Sequence, residues 1–241
     1  MKLNVGFCPR ITSLMTLVML CYIMACLAPQ LANGAITGKM LLYEDNFSTS
    51  KNSIFGGYSD NISDNYFQNG KYRITVFPMD SSSAEQSKVK SSNIILEVDA
   101  TQVSGPNDNG YGVIFRNDNW ESYYQFLISG DGYYQIARWM NNSWSTRLAN
   151  NSWSTGQMDE TWSSIYWINS SGIIHTGNAT NLINVTCDAN KFSFYINDKK
   201  VDEFSDNNSN PGTIGLVVRT GNTPGAVTID FDNLNVWGIS R

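Results

Sequence analysis

The sequence predicts an all-β fold, a two-sheet antiparallel jelly-roll sandwich. Three observations lead to it. Strand-like runs separated by turn clusters recur from residue 40 to residue 237. After residue 35 no segment carries the apolar period of a helix. The composition is that of a polar, turn-rich β protein: charged residues are 15% of the chain, against a usual ~25%. Asn, Ser, Thr and Gly fill the gap, and 12% aromatic residues exclude a disordered chain.

Residues 1–34 read as a targeting segment. Lys2 and Arg10 supply a positive start, and Ile11 to Ala28 is almost wholly apolar. Ala32-Asn33-Gly34 then places small residues where a signal peptidase reads them, with a cut expected before Ala35. Two alternatives stand beside cleavage. One is an uncleaved anchor helix, at the short limit for spanning a bilayer. The other is lipid attachment at Cys26, because Ile23-Met24-Ala25-Cys26 is a loose lipobox. The expected location is therefore extracellular, with membrane contact only through this N-terminal segment. Cys8, Cys21 and Cys26 all fall within it, so residues 35–241 keep a single cysteine, Cys187, and no internal disulfide. Cys187 follows Ile183 and Val185 at period two, which marks a buried strand residue rather than a nucleophile.

Residues 35–241 are expected to form one sandwich domain, long enough to bury a sizeable core. Strands are expected near 40–44, 71–77, 93–103, 110–117, 122–129, 133–140, 181–187, 191–196, 199–204, 213–219 and 226–237. The stretch 48–69 reads as a polar connection with short strands, and 141–180 as a long Trp-rich excursion. Several strands show their faces. Ile94, Leu96 and Val98 alternate with Ile95, Glu97 and Asp99, and Phe192, Phe194 and Ile196 alternate with Ser193 and Tyr195. In the last strand the parity breaks near Asn233, which predicts a bulge.

The hairpin 122–140 turns at Gly130-Asp131-Gly132. Opposed residues share a face, so loop length fixes which sets combine. A two-residue loop would put Gln125 and Arg138 among apolar neighbours. A three-residue loop gathers Tyr124, Phe126, Ile128, Tyr134 and Ile136 on one face. The other face then carries Tyr123, Gln125, Ser129, Tyr133, Gln135 and Trp139. The second sorting is cleaner, and a glycine supplies the left-handed residue that such a loop needs. Arg138 is its imperfection and is expected near the sheet end. The hexapeptide Asn-Asn-Ser-Trp-Ser-Thr occurs at 141–146 and again at 150–155, too short a period for a solenoid. It reads as two similar turns that each lay a tryptophan, Trp144 and Trp153, on the sandwich.

These segments together resemble a family. Gly110-Tyr-Gly-Val-Ile-Phe-Arg116, Tyr123 to Ile136, Asn184-Val-Thr-Cys187, Phe194-Tyr-Ile-Asn197, Gly212-Thr-Ile-Gly-Leu216 and Phe231-Asp-Asn-Leu-Asn-Val236 are similar to strands of the concanavalin A-like lectin/glucanase superfamily. Among its bacterial extracellular domains the 3-keto-disaccharide hydrolase-like group is the nearest in pattern. The resemblance covers roughly 40–238. It implies two curved antiparallel sheets with any ligand site on the concave face.

Retaining glucanases of that superfamily carry Glu-x-Asp-x-Glu on one strand, so that two carboxyls ~5–5.5 Å apart flank the sugar bond. Here Glu97-Val98-Asp99 is followed by Thr101 where the third acid would stand, and two solvated acids on an outward strand face are the simpler reading. His175 has no acid or cysteine nearby in sequence and makes neither a triad nor a zinc site. The aromatic face is more suggestive. Sugars stack on flat rings and bond to amides, which makes Tyr123, Gln125, Tyr133, Gln135 and Trp139 the expected ligand contacts. Trp120, Trp144, Trp153, Trp162 and Trp167 are either rim residues or loop anchors. Asp45 and Asp232 would approach one another if the terminal strands pair, and with several oxygens could hold a structural Ca²⁺. No other cofactor is implied. The 14 basic against 21 acidic groups after residue 34 argue against nucleic acid. The expected function is an exported, non-catalytic module that binds carbohydrate or a cell-surface glycoconjugate. The alternatives are a glycosidase-like or 3-keto-disaccharide hydrolase enzyme and a structural or adhesive surface domain.

Overall fold

The apolar–polar alternation of the chain is realised as strands throughout. The structure, a computed structural model, describes residues 38–155, 167–207 and 210–240. The targeting segment 1–34, with its three cysteines, and Trp162 lie outside the described residues. In chain order the strands are β1 (Gly38–Asp45), β2 (Tyr58–Ser59), β3 (Ser63–Gln68), β4 (Lys71–Val76), β5 (Ser82–Ser91), β6 (Ile94–Ser104), β7 (Gly110–Asp118), β8 (Ser122–Ile128) and β9 (Tyr133–Met140). They continue with β10 (Ser143–Arg147), β11 (Trp153–Thr155), β12 (Ile168–Asn169), β13 (Thr180–Asp188), β14 (Lys191–Ile196), β15 (Lys199–Ser205), β16 (Gly212–Arg219) and β17 (Val227–Ser240). One short 3₁₀ turn, Ser50–Asn52, interrupts them.

Among the described residues these strands form two antiparallel sheets. One runs β15-β14-β13-β6-β17-β4-β3-β2, with β1 also on β17. The other runs β11-β10-β9-β8-β7-β16-β5, with β12 also on β9. This is the two-sheet jelly-roll sandwich that the sequence predicts, and the expected strands lie within one or two residues of their places, except that the last runs on to Ser240. The bulge expected near Asn233 is there too. The β17–β6 register shifts between Asp232 and Asn235, and Asn233 takes a left-handed φ of 49°. β5 escaped prediction, as did β10, β11 and β12 within the stretch read as a Trp-rich excursion, where the hexapeptides were expected to form turns. The run Ser82–Ser91 is polar on both faces, yet it forms β5, the edge of the second sheet, where Asn65 Nδ2 reaches Ser83 Oγ and Glu85 Oε1 at 3.0 Å.

The core fills the space between the sheets. From β6, β13 and β14 come Leu96, Val98, Val185, Phe192 and Phe194, and from β7, β8 and β9 come Val113, Phe115, Tyr124, Phe126 and Ile136, all buried. Phe192 stacks on Phe204 at 5.0 Å, and Phe115 stacks on Tyr124 at 5.5 Å. Each such ring contributes about 1.5–3 kcal/mol through the area it removes from water. Cys187 belongs to this core, fully buried, and burial pushes its thiol up to about 12. Close approach of backbone fixes one glycine. A Cβ on Gly212 would lie 2.3 Å from the Arg116 carbonyl carbon, at the bulge where β16 passes β7.

The sheets are latched at one edge by charge. Arg147 on β10 donates to Asp202 on β15 (Nε–Oδ2 3.2 Å), and both side chains are 6% exposed. Arg138 pairs with Asp206 and lies 4.5 Å over the Trp153 ring, so the residue expected to spoil the hairpin's apolar face caps the core at its edge. The hexapeptide repeat forms successive strands. Because Arg147 opposes Trp153 and Trp144 opposes Trp139, the two tryptophans sit on opposite faces of the sheet. Trp153 is thereby a core anchor, edge-on to Phe204 at 5.1 Å.

Removing one partner of a buried ion pair strands the other charge, so Arg147→Ala should cost about 3 kcal/mol in urea unfolding. A loss below about 1 kcal/mol would show that the latch contributes little beyond its packing. Cys187 should resist thiol reagents at pH 8 in the folded protein and react fully in denaturant. Rapid native labelling would contradict its burial.

Candidate ligand cleft

The hairpin β8–β9 decides what the outer face of the second sheet presents. Ser129 N donates to Tyr133 O at 2.8 Å and Gly132 N donates to Ser129 O at 3.1 Å, closing a three-residue loop with Gly132 at φ 94°. Register then places Phe126 opposite Ile136 and Ile128 opposite Tyr134, on the core side. Tyr123 opposes Trp139 and Leu127 opposes Gln135, on the outer side. The loop length and both faces are those that the sequence predicts.

Pairing with β7, β16 and β10 extends that outer face into four rows across the strands. The row at the turn end holds Arg219 opposite Gly110, with Ser129 opposite Tyr133 in the turn. The next holds Val217, Gly112, Leu127 and Gln135. The third holds Gly215, Ile114, Gln125, Ala137 and Thr146. The last holds Tyr123, Trp139 and Trp144.

The rows differ sharply in access. A cleft of about 380 Å³ opens at the turn end, lined by Asp108, Asn109, Gly110, Ser129, Asp131, Tyr133, Trp167, Arg219, Thr220, Gly221 and Asn222. Trp167 is its inner wall. The Trp167 ring lies so close to Gly110 that a Cβ there would meet Cη2 at 3.1 Å and the neighbouring Leu127 Cδ1 at 3.2 Å. Asn109 braces the floor and is itself saturated. Its Nδ2 donates to Gln102 Oε1 (2.9 Å) and Pro106 O (2.7 Å), and its Oδ1 accepts from Gly130 N (3.0 Å). Asp131 accepts from the Ser129 hydroxyl, and Asp108 Oδ2 accepts from Thr223 N at 2.9 Å. Each acid uses one oxygen in these bonds, leaving the other for a ligand. Burial pushes the Arg219 guanidinium down to about 9, with Tyr123 acting the other way; it still carries its charge at neutral pH. Two half-buried rings, two carboxylates, a guanidinium and an exposed amide at Asn222 thus converge on one space.

Of the five ligand contacts expected from sequence, Tyr133 lines this cleft. Gln125 and Gln135 share the face but are 1% exposed, and Gln125 Nε2 donates to Gln135 Oε1 at 3.1 Å. One bond joins their amides and both are closed to solvent, so the polar contacts of the cleft come from other residues. Tyr123 and Trp139 belong to the far row, where Trp120, Tyr123, Trp144 and Trp139 form a chain of ring contacts 5.7, 5.4 and 5.4 Å apart.

The other expected sites are not brought together. Glu97 and Asp99 lie on β6 in the other sheet and point away from the core, because Leu96, Val98 and Ala100 take the inner positions. Glu97 accepts from Asn184 Nδ2 at 2.6 Å and Asp99 from Asn233 Nδ2 at 2.9 Å. The sandwich core separates them from the cleft. The terminal strands do pair, Asp45 opposing Leu234. Asp45, however, accepts from Tyr43 Oη and Phe47 N, and Asp232 is bonded to Lys71 Nζ at 2.9 Å. They serve a turn and an ion pair. No group of three or more His, Cys, Asp or Glu able to hold a metal occurs among the described residues. His175 is exposed, with Nδ1 3.0 Å from Thr180 O.

Sequence reasoning missed most of the cleft because its walls come from four distant segments, near 108–110, 129–133, 167 and 219–222. Trp167 was visible only as one of several tryptophans. Gly110→Ala should push the Trp167 ring aside without unfolding the sandwich. The check is a shift of the Trp167 indole N–H resonance while the other tryptophan indoles hold still; an unmoved Trp167 signal would refute the contact.

Fold comparison agrees with this architecture. No protein-family model matches the chain, and no curated protein matches its sequence. Among solved structures, the carbohydrate binding module CBM66 from Bacillus subtilis superposes with a TM-score of 0.51 at 14% identity, over 83% of this chain and 96% of that one. The Bacillus licheniformis beta-glucanase gives 0.56 at 9% identity, over 83% and 97%. The laminarinase catalytic domain from Thermotoga maritima MSB8 gives 0.56 at 10%, over 84% and 99%. At these identities the likeness establishes the fold, a concanavalin A-like jelly roll.

Proposed function

We propose that this chain is an exported, non-catalytic module that binds carbohydrate, or a cell-surface glycoconjugate, in the cleft at the turn end of β8 and β9. The observation that carries the reading is the make-up of that cleft. Trp167 and Tyr133 offer ring faces, while Asp108, Asp131, Asn222 and Arg219 offer hydrogen-bonding groups around the same space of about 380 Å³. Sugars present apolar C–H patches and a fringe of hydroxyls, and sites that mix a few polar groups with aromatic faces match both. The export half of the proposal rests on the apolar segment after Arg10 and the small residues before Ala35. Carbohydrate-binding and carbohydrate-cleaving proteins both occur among the similar folds, which agrees with the ligand class and leaves the choice to the site.

A second reading, an enzyme acting on glycosides, draws on one observation: Asp108 and Asp131 both line the cleft. A 3-keto-disaccharide hydrolase-like or glycosidase-like activity would have to use these acids rather than Glu97 and Asp99. Asp131→Asn would then abolish turnover, whereas the binding reading gives no turnover in the parent protein.

A broad glycan array should give saturable, specific binding. Aromatic anchors at the centre of a site typically cost about 2 kcal/mol or more on truncation, so Trp167→Ala and Tyr133→Ala should each weaken the hit by roughly 30-fold. A blank array with no turnover would instead favour a structural or adhesive surface domain, and full binding by both variants would move the site elsewhere.

A further inference from the structure

We infer that the cleft recognises the end of a glycan chain rather than an internal stretch of it. This deepens, and rests on, the carbohydrate reading above. A site for an internal stretch must let the chain enter on one side and leave on another, and among the described residues the side towards the sheet centre is closed and both flanks are tied.

Towards the middle of the sheet the path is shut. The two rows beyond the cleft are closed to solvent: Leu127 is 0% exposed, Gln135 1%, Val217 3%, Ile114 2%, Gln125 1% and Ala137 0%. The Trp167 ring seated on Gly110 and Leu127 stands at the boundary. The half-exposed aromatic row begins only at Tyr123, six residues along β8 from Ser129, which at a strand's rise is ~20 Å away. A polymer cannot lie in the cleft and on those rings without crossing the closed rows.

Across the strands the cleft has two tied flanks. On one, the loop at Asp108 is joined to the segment after β16. Thr223 N donates to Asp108 Oδ2 at 2.9 Å, and a Cβ on Gly221 would lie 1.9 Å from Asp108 O, so the two backbones touch. On the other, the β8–β9 turn is bonded to the segment after β12. Ser170 N donates to Gly132 O at 2.9 Å and Gly177 N to Gly130 O at 3.1 Å. The volume agrees, since about 380 Å³ lies at the small end of the ~300–1,000 Å³ that ligand sites span.

The test is isothermal titration of the purified protein with matched disaccharide and hexasaccharide probes for each linkage that scores on the array. A third probe is the hexasaccharide whose terminal sugar is capped as a benzylidene acetal. For chain-end recognition the affinity per molecule should differ by less than about threefold between the two lengths, and the cap should weaken binding by about tenfold or more. Trp120→Ala and Trp144→Ala, in the distant aromatic row, should leave the hexasaccharide affinity unchanged. A hexasaccharide that binds more than about threefold tighter than its disaccharide, a capped probe that binds within about tenfold of the uncapped one, or a loss confined to long probes in the two tryptophan variants would overturn the inference while leaving the carbohydrate reading intact. Absence of binding to every probe would remove that reading itself and the inference with it.

Discussion

Register between β8 and β9 is the constraint from which the rest of the ligand face follows. Side chains alternate with a period of two, so a slip of one residue would exchange the faces of a whole strand. With Ser129 opposite Tyr133, the rings of Tyr124, Phe126 and Tyr134 enter the core, and Gln125 and Gln135 leave it. A slip would bury two amides among aromatic rings, where each unpaired polar group costs about 1–3 kcal/mol. The glycines on either side of Asp131 make the three-residue loop possible, and the loop holds the register. The same turn then supplies Ser129, Asp131 and Tyr133 to the cleft. Fold specification and site construction are here a single act of one hairpin.

A sandwich has two outer faces, and this chain treats them differently. The outside of the nine-stranded sheet carries short polar pairings: Glu97 with Asn184, Asp99 with Asn233, Arg73 with Asp230. The exposed Asp99–Asn233 pairing contributes little, whereas Arg73 holds Asp230 through two bonds with both side chains mostly buried. The outside of the eight-stranded sheet instead carries a second, smaller apolar cluster of Ile114, Leu127 and Val217, with Tyr123 and Trp167 packed on it. Burying that cluster stabilises the sheet's outer side but consumes most of its outer surface. The space left for a ligand is the end row, where Gly110 has no side chain and Trp167 takes its place. The size of the site is thus set by how much of the face the protein fills with its own residues.

How far the sequence reveals this follows from which signals are local. Alternation such as Phe192-Ser193-Phe194 or Leu96-Glu97-Val98 is written in consecutive residues, so strands and their faces could be read directly. So could the bulge at Asn233 and the loop at 130–132. β5 could not, because a polar edge strand whose inner residues are satisfied by hydrogen bonds from Asn65 has no apolar alternation to show. The buried latch of Arg138, Arg147, Asp202 and Asp206 was equally hidden. Charged residues read as surface until a partner strand from the other sheet is placed beside them. The cleft was the least legible feature of all, since four segments separated by tens of residues build it, and only Tyr133 belonged to a pattern that pointed towards it.

The acids on β6 show why face and site are different inferences. Period-two spacing correctly puts Glu97 and Asp99 on one side of a strand and Val98 on the other. It says nothing about which of two sheets the strand joins, and in a sandwich each sheet has its own outer face. β6 pairs with β13 and β17, both in the nine-stranded sheet. The outward side of that sheet is separated from the cleft by the whole thickness of the core, about 10 Å between sheets before side chains are counted. A pair of carboxylates on a strand becomes a catalytic candidate only when the strand borders a concavity. Topology rather than local spacing decides that, so the acids that line the cleft are the loop residues Asp108 and Asp131, whose positions are set by the turns that hold them.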